Sequence, residues 1–251
     1  MLDYFLVADR RYARFPALLA HTGLVHAFST RPADVSARAD TNAPRRAEAR
    51  AQMARDLRLT PESLHHCAQV HQPRIERVRS DQPAAAHAGC DALWTTDRGV
   101  GLMVFSADCP LILVHDPRRG AVGVCHSSWR CTIAGMTRLL VDALVREGGC
   151  NPPDLVAGIG PSAGPCCYEV KDDVRIAAGA LPDADSFFPR VGDRMHFDLW
   201  SANAAQLQQA GVPASNIETA GVCTMCGGDA FYSFRREKAG CGHFGLLAAL
   251  S

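Results

Sequence analysis

The sequence predicts a single mixed α/β domain over residues 1–251. Three observations lead there. Strand-like and helix-like segments alternate, but without the even βα rhythm of a barrel or a dinucleotide-binding fold. No linker, low-complexity run or internal repeat divides the chain. Residues 99–130 read as three apolar strands, the last two joined by Asp116-Pro117-Arg118-Arg119-Gly120, which has the turn chemistry of a hairpin. A chain of 251 residues can bury a core around such a segment without disulfide staples.

The remaining elements follow in order. Residues 24–30, LVHAFST, suit a strand leading to Arg31, and the small polar residues 32–44 a loop. Residues 44–59 are rich in Ala and Arg with Pro44 at the start, as in a helix first turn. Thr60-Pro61 opens a turn or short helix, and an extended 67–70 delivers His71 at its end. Residues 74–79 alternate as a strand does, 80–90 form a loop, and 92–95 a short strand. Met136, Leu139, Leu140, Ala143 and Leu144 recur at spacings of three and four, which makes 133–146 an amphipathic helix ended by Gly148-Gly149. A strand at 155–159, the tight loop GPSAGPCCYEV and a short helix come next. A strand at 195–199, a helix at 200–210 closed by Gly211, and a last core strand in GLLAAL complete the chain.

Lys plus Arg and Asp plus Glu are equal at 26 each, so no global charge attracts nucleic acid or an anionic membrane. No apolar run approaches the roughly 20 residues that span a bilayer, and MLDYFLVADRRYARF lacks the basic-then-apolar order of a signal peptide. The expected setting is cytoplasmic. There the 11 cysteines, an odd number, act as thiols or ligands rather than a disulfide framework. Cys125 and Cys150 read as small buried hydrophobes.

Three features carry chemistry. His71, Cys109 and His126 each fall at a predicted strand end, and two imidazoles with one thiolate suit a Zn²⁺ ion with its fourth position open. Spacing alone does not separate this from capping histidines and a packed thiol. Cys223-Thr-Met-Cys226 is half of a structural metal site, a redox pair or a turn with two buried thiols; Cys166-Cys167 or Cys241 are the candidates to complete it. Arg31, Arg130, Arg235 and Arg236 stand beside turns, where guanidinium groups bind phosphate or carboxylate. Arg130 falls at a predicted helix start, where backbone N–H groups also favour anions. Asp108 is a candidate general acid or base, or a turn residue. There is no HxE with PCxxC, no GxxxxGK[ST], and Gly158-Ile159-Gly160 lacks the later glycine of a dinucleotide site.

SADCPLILVHDPRRGAVGVCHSSWR resembles the TADC…H.GWR core of the polyphenol oxidase, laccase-domain or YfiH-like family. GIGPSAGPCCYEV, CTMCGGDAFYSFRRE and HAFSTR are similar to three further segments of that family, in its order, from about residue 24 to the end. The resemblance implies a single-domain α/β sandwich with a mixed sheet. It implies that His71, Cys109 and His126 are ligands of zinc, with copper the alternative. It further implies phosphorolysis of adenosine, inosine and methylthioadenosine together with adenosine deamination. For such an enzyme Cys109, Asp108 and Arg130 are the expected catalytic residues, and Arg31 and Arg130 are expected to hold substrate. The expected partners are a purine nucleoside and phosphate, with the chain a monomer or weak homo-oligomer. Rival readings are a Cys109-nucleophile amide hydrolase or peptidoglycan-precursor editing enzyme, a copper polyphenol oxidase, and a non-catalytic zinc-stabilised protein. The chain departs from the family pattern at 32–36, after His71, at Ser127-Ser128, at Cys131 and at 241–245.

Overall fold

A computed structural model describes all 251 residues. The chain starts with β1 (Asp3–Val7), β2 (Arg10–Arg14) and β3 (Leu24–Ser29), then α1 (Ala43–Asp56). Next come β4 (Leu64–Ala68), β5 (Ile75–Arg77), β6 (Ala86–Ala88) and β7 (Ala92–Thr95). The central strands are β8 (Gly101–Ser106), β9 (Leu111–Asp116) and β10 (Ala121–His126). They lead to α2 (Trp129–Ile133), α3 (Met136–Gly148) and β11 (Val156–Ile159). The last third holds α4 (Asp172–Ala177), β12 (Arg190–Val191), β13 (Arg194–Met195), α5 (Leu199–Gln209), β14 (Ile217–Thr219), α6 (Phe234–Glu237) and β15 (Phe244–Leu250). No helix is long and apolar enough to cross a membrane.

The strands form two large mixed sheets, in the orders β1-β2-β3-β15-β8-β4-β6 and β14-β11-β9-β10-β7-β5. They pack face to face. Leu102 and Val104 of β8 and Leu246 and Ala248 of β15 meet Leu111 and Leu113 of β9 and Val122 and Val124 of β10 in one core. Because side chains alternate across a strand, the intervening residues face outward and are buried as well. Met103, Phe105 and Leu247 pack under Met53 and Ala54 of α1. Ile112, Val114 and Cys125 pack under Leu140, Val141 and Leu144 of α3. A helix thus covers each outer face, which is why β8, β9, β10 and β15 are buried at every position and read as unbroken apolar runs. Gly158 and Gly160 serve this packing: a Cβ on Gly158 would lie 2.3 Å from the ring of Phe15, and one on Gly160 would lie 2.7 Å from that of Phe28.

Several sequence expectations change. The expected hairpin is that of β9 and β10, while β8 lies in the opposite sheet, paired with β15 and β4. The helix expected at 133–146 runs from Met136 to Gly148, and Gly135, at φ 77°, separates it from the short α2 before it. The strand expected at 195–199 stops at Met195, because Asp198 accepts hydrogen bonds from the N–H groups of Trp200 and Ser201 and starts α5. The loop expected at 80–90 contains β6. The N-terminal β1–β2 hairpin and β14, short and partly exposed, gave no apolar signal.

His26 lies in the core, where its Nε2 accepts the Phe15 N–H at 3.1 Å. Burial, with the nearby Arg14 charge, lowers its pKa from 6.5 to about 4; burial, with Arg50, does the same to His66 on β4. A ring held neutral in the fold but free to protonate when unfolded stabilises fully above pH 6.5. That contribution is lost as pH falls toward 4, at roughly 1.4 kcal/mol per pH unit for each ring. The urea midpoint is therefore expected to fall steadily between pH 6.5 and 4.5, before the low-pKa carboxylates titrate. A midpoint flat over that window would show that neither ring is held neutral.

Candidate metal centre and active site

The site forms where the chain crosses from one sheet to the other. β8 ends at Ser106 in the seven-stranded sheet, and β9 begins at Leu111 in the six-stranded one. Asp108 and Cys109 sit on this crossover. Asp108 takes φ 110°, a conformation unfavourable to a side chain by about 1–3 kcal/mol, and four bonds in and around the crossover hold the turn. Its Oδ1 accepts from the Thr224 hydroxyl at 2.6 Å and its Oδ2 from the Arg235 N–H at 2.7 Å. Its carbonyl accepts from the Ala163 N–H at 2.7 Å, and the Ser106 hydroxyl donates to the Cys109 carbonyl at 2.6 Å.

A second carboxylate, absent from the sequence expectations, organises the histidines. Asp91 is fully buried just before β7. Its Oδ1 accepts from His126 Nδ1 at 2.8 Å and from the His71 N–H at 3.1 Å. Its Oδ2 accepts from the N–H groups of Val70 at 2.9 Å and Gln72 at 3.2 Å. Three consecutive amides can converge on one carboxylate because His71 is left-handed, at φ 62°. Burial alone would raise the Asp91 carboxyl; the bonds from His126 and the backbone outweigh it and hold the group below its ordinary value. Donation from Nδ1 fixes the His126 tautomer and leaves Nε2 as a lone-pair donor. The His71 ring lies 5.0 Å from that of His126 and is kept neutral by burial and by its neighbour.

His71, Cys109 and His126 line one cavity of about 760 Å³ together with Asp108 and Arg130, the size range of small-molecule sites. Burial, reinforced by Asp108, pushes the Cys109 thiol above its ordinary value, so without a cation it stays protonated. No hydrogen bond links it to an imidazole, and of the His126 nitrogens only Nδ1 is engaged, by Asp91. The closest convergence of ligand atoms lies elsewhere, at Cys166, Cys167, Cys223 and Cys226, whose sulfurs are all within 4.8 Å of one another.

The arginines divide. Arg130 stacks on Trp129 at 4.2 Å, and Arg235 stacks on Tyr168 at 4.8 Å; all four residues line the cavity. The anion-binding helix start expected beside Arg130 is a five-residue helix whose first turn is capped by Ser128, which accepts from the Cys131 N–H. Arg31 is not in this cavity. Its guanidinium is paired with Glu237 at 2.6 Å, lies over the Tyr232 ring and lines a separate cavity of about 550 Å³. Arg236 is likewise held by Glu237. Sequence reasoning missed Asp91, Arg38, His243 and the aromatic faces of Phe105 and Phe234, all of which except Asp91 line the cavity. The signal for Asp91 was a carboxylate directly before the apolar run Ala92-Leu93-Trp94.

Residues 25–251 match the family described as multi-copper polyphenol oxidoreductase laccase. The chain is 36% identical over 154 residues to a purine nucleoside phosphorylase of Bacteroides thetaiotaomicron, covering 59% of this chain and 56% of that one. It is 36% identical over 182 residues to purine nucleoside phosphorylase YlmD of Geobacillus stearothermophilus, covering 68% and 66%. It is 35% identical over 181 residues to adenosine deaminase RL5 of an unknown prokaryotic organism, covering 70% and 68%. These matches span from about half to about two thirds of the relatives' own lengths. Among solved structures, the hypothetical protein YfiH of Bacillus licheniformis superposes with a TM-score of 0.91 at 26% identity, over 99% of both chains. Geobacillus YlmD superposes with a TM-score of 0.89 at 27% identity, over 98% of both. The single-domain mixed α/β architecture with two large sheets is theirs as well.

Asp91→Asn tests the organising carboxylate. The substitution keeps the shape but turns an NH₂ group toward N–H donors, so a loss of about 2–4 kcal/mol in unfolding free energy is expected, with a changed His126 tautomer in ¹⁵N spectra. Unchanged stability with an unchanged tautomer would rule out the role given to Asp91.

Proposed function

The chain belongs to the multi-copper polyphenol oxidoreductase laccase family, and from that premise we propose that it is a metal-dependent purine nucleoside enzyme. The names of its relatives point to purine nucleosides. The observation that carries the reading is the cavity itself, where two imidazoles and a thiol line the same space as two aromatic-backed arginines. His71, Cys109 and His126 would hold the metal. Two nitrogen donors and one sulfur donor fit Zn²⁺ better than a copper cluster, and His126 already has the outer carboxylate partner that metal-binding histidines use. A zinc ion there supplies Lewis acidity.

The chain's own groups do the rest. Arg130 and Arg235 bind and orient phosphate through bidentate hydrogen bonds, with Trp129 and Tyr168 fixing the guanidinium planes. Phe105 and Phe234 offer apolar faces for the purine. Phosphorolysis of adenosine, inosine or methylthioadenosine then needs phosphate held against the ribose C1′ while the base departs, and the arginine pair suits that reaction more directly than deamination. Asp108 has both oxygens bonded, so it is a positioning residue in this scheme rather than the proton-transfer group expected. The substrate-binding role expected of Arg31 passes to Arg235. A thiol hydrolase is less well supported, because the Cys109 thiol makes no hydrogen bond to an imidazole and is raised above its ordinary value.

The test is release of adenine or hypoxanthine from adenosine or inosine by zinc-loaded protein, with and without phosphate. Phosphate-dependent release is expected. His71→Ala, Cys109→Ala and His126→Ala should each lower kcat/KM by about 10²-fold or more. Arg130→Ala and Arg235→Ala should raise the phosphate KM by about tenfold, which is about 1.4 kcal/mol, more than the nucleoside KM. No base and no inosine under any condition would refute the reading. Inosine formation from adenosine without phosphate dependence would replace phosphorolysis with deamination.

A further inference from the structure

The four crowded cysteines lie outside the cavity and play no part in the proposed reaction. They come from two loops that the fold lays side by side. Parallel pairing of β11 with β14 continues beyond the strand ends as a bridge between Ser162 and Cys223. The Ser162 N–H donates to the Val222 carbonyl at 3.1 Å, and the Thr224 N–H donates to the Ser162 carbonyl at 2.9 Å. This register brings Cys166-Cys167 against Cys223-Thr-Met-Cys226. The second segment is wound into a tight turn, with the Gly227 N–H donating to the Cys223 carbonyl at 2.7 Å. A Cβ on Gly227 would stand 2.5 Å from that oxygen, so the turn requires glycine. The Gly164 N–H donates to Cys223 Sγ at 3.3 Å, the kind of outer bond that steadies a thiolate ligand. Arg236 donates to the carbonyls of Met225 and Gly228, bracing the turn.

We propose that Cys166, Cys167, Cys223 and Cys226 form a closed, four-thiolate structural site for Zn²⁺ that ties these two loops together. The distances support this. A tetrahedral zinc with Zn–S bonds of about 2.3 Å holds its sulfurs about 3.8 Å apart. Here Cys166 Sγ and Cys226 Sγ are 3.6 Å apart, and all four sulfurs are within 4.8 Å of one another. Closure needs side-chain adjustments of about an ångström rather than movement of the loops. Cys223 is buried while Cys166 and Cys226 are exposed, which gives the ion an entry path and a protected floor. Cys241, the other sequence candidate, is not a member: its thiol is buried and donates to the Gly242 carbonyl at 3.1 Å. Four thiolates with no open position make a structural site rather than a catalytic one. Its place is mechanical. Cys167 precedes Tyr168, which backs Arg235 in the cavity, and Thr224 lies inside the Cys223–Cys226 turn and holds Asp108.

The site is tested by metal binding alone, which does not depend on the purine nucleoside reading. In Cys109→Ala the cavity offers no thiolate, so any thiolate-to-metal signal must arise from the four cysteines. Metal-free Cys109→Ala protein titrated with Co²⁺ should show the strong near-ultraviolet thiolate-to-cobalt charge-transfer and visible tetrahedral bands of a four-sulfur site, saturating at one equivalent and bleached by Zn²⁺. The doubly substituted Cys109→Ala/Cys226→Ser chain should lose them. Elemental analysis should find one zinc fewer per chain in Cys226→Ser than in wild type, and chelation should lower the wild-type melting temperature. Cys226 is exposed, so its substitution leaves the core untouched; should that variant still misfold, the Co²⁺ titration of Cys109→Ala decides alone. No charge-transfer band in Cys109→Ala, or full zinc content in folded Cys226→Ser, overturns the proposal.

Discussion

Asp91 is a carboxylate with no exposed surface, and that position is tolerable only because four donors meet it. An ionised group in an apolar interior without such partners is unfavourable by several kcal/mol. The four bonds therefore act as a constraint on everything they touch. They fix the bend at Val70, His71 and Gln72 beyond β4, the start of β7, and the end of β10. Those points belong to both sheets, so the sandwich cannot shift one sheet against the other without breaking the set. The same bonds orient the His126 ring and place His71 beside it. Stability of the sandwich and geometry of the site thus rest on one buried charge.

The crossover from β8 to β9 is the complementary constraint. A sandwich whose inner faces are apolar apart from the neutral His26 ring leaves little polar surface in its middle, so chemistry is confined to the sheet ends. The crossover carries the chain over such an end, and the strained Asp108 conformation turns Cys109 into the cavity beside the histidines. Asp108 stays in place because loops from the last third of the chain bond to it from two sides, through Ala163 and through Thr224 and Arg235. The cavity is therefore assembled from sequence-distant segments: 36–38, 67–71, 105–109, 126–130, 168, and 234–243.

What could be read from the sequence follows from this division. The long strands were legible because burial on both faces makes them unbroken apolar runs, and the ends of β9 and β10 were visible in the Asp-Pro-Arg-Arg-Gly turn. Which sheet β8 joins was not legible, since apolarity marks burial but not partner. That His71, Cys109 and His126 share one cavity could be anticipated because each is a chemically distinctive residue next to a strand end. Asp91 was not, because its role comes from contacts with residues 20 and 35 positions away, and nothing near it in sequence marks them. Arg31 was misplaced for the mirror reason. Its neighbours in sequence suggested a site, but Glu237, 206 residues later, takes its charge. Single arginines are captured by whichever carboxylate the fold brings near, and that choice is a tertiary one.

The cysteines show the same principle working in favour of inference. A thiol is small and weakly polar, so it can serve as a core hydrophobe, and six of the eleven do so. Cys67, Cys90 and Cys241 lie in the inter-sheet core, and Cys125, Cys131 and Cys150 lie under α3. Burial raises the thiols of Cys67 and Cys125 far above the ordinary value and makes them inert. Cys109 faces the cavity. The remaining four are different in kind: two are exposed, none belongs to a core cluster, and all stand within reach of one another. A packing role explains a buried thiol but not an exposed one, and chance does not bring four onto two adjoining turns whose backbones are paired. Environment therefore sorts one residue type into three uses, and the sort follows from burial and mutual distance.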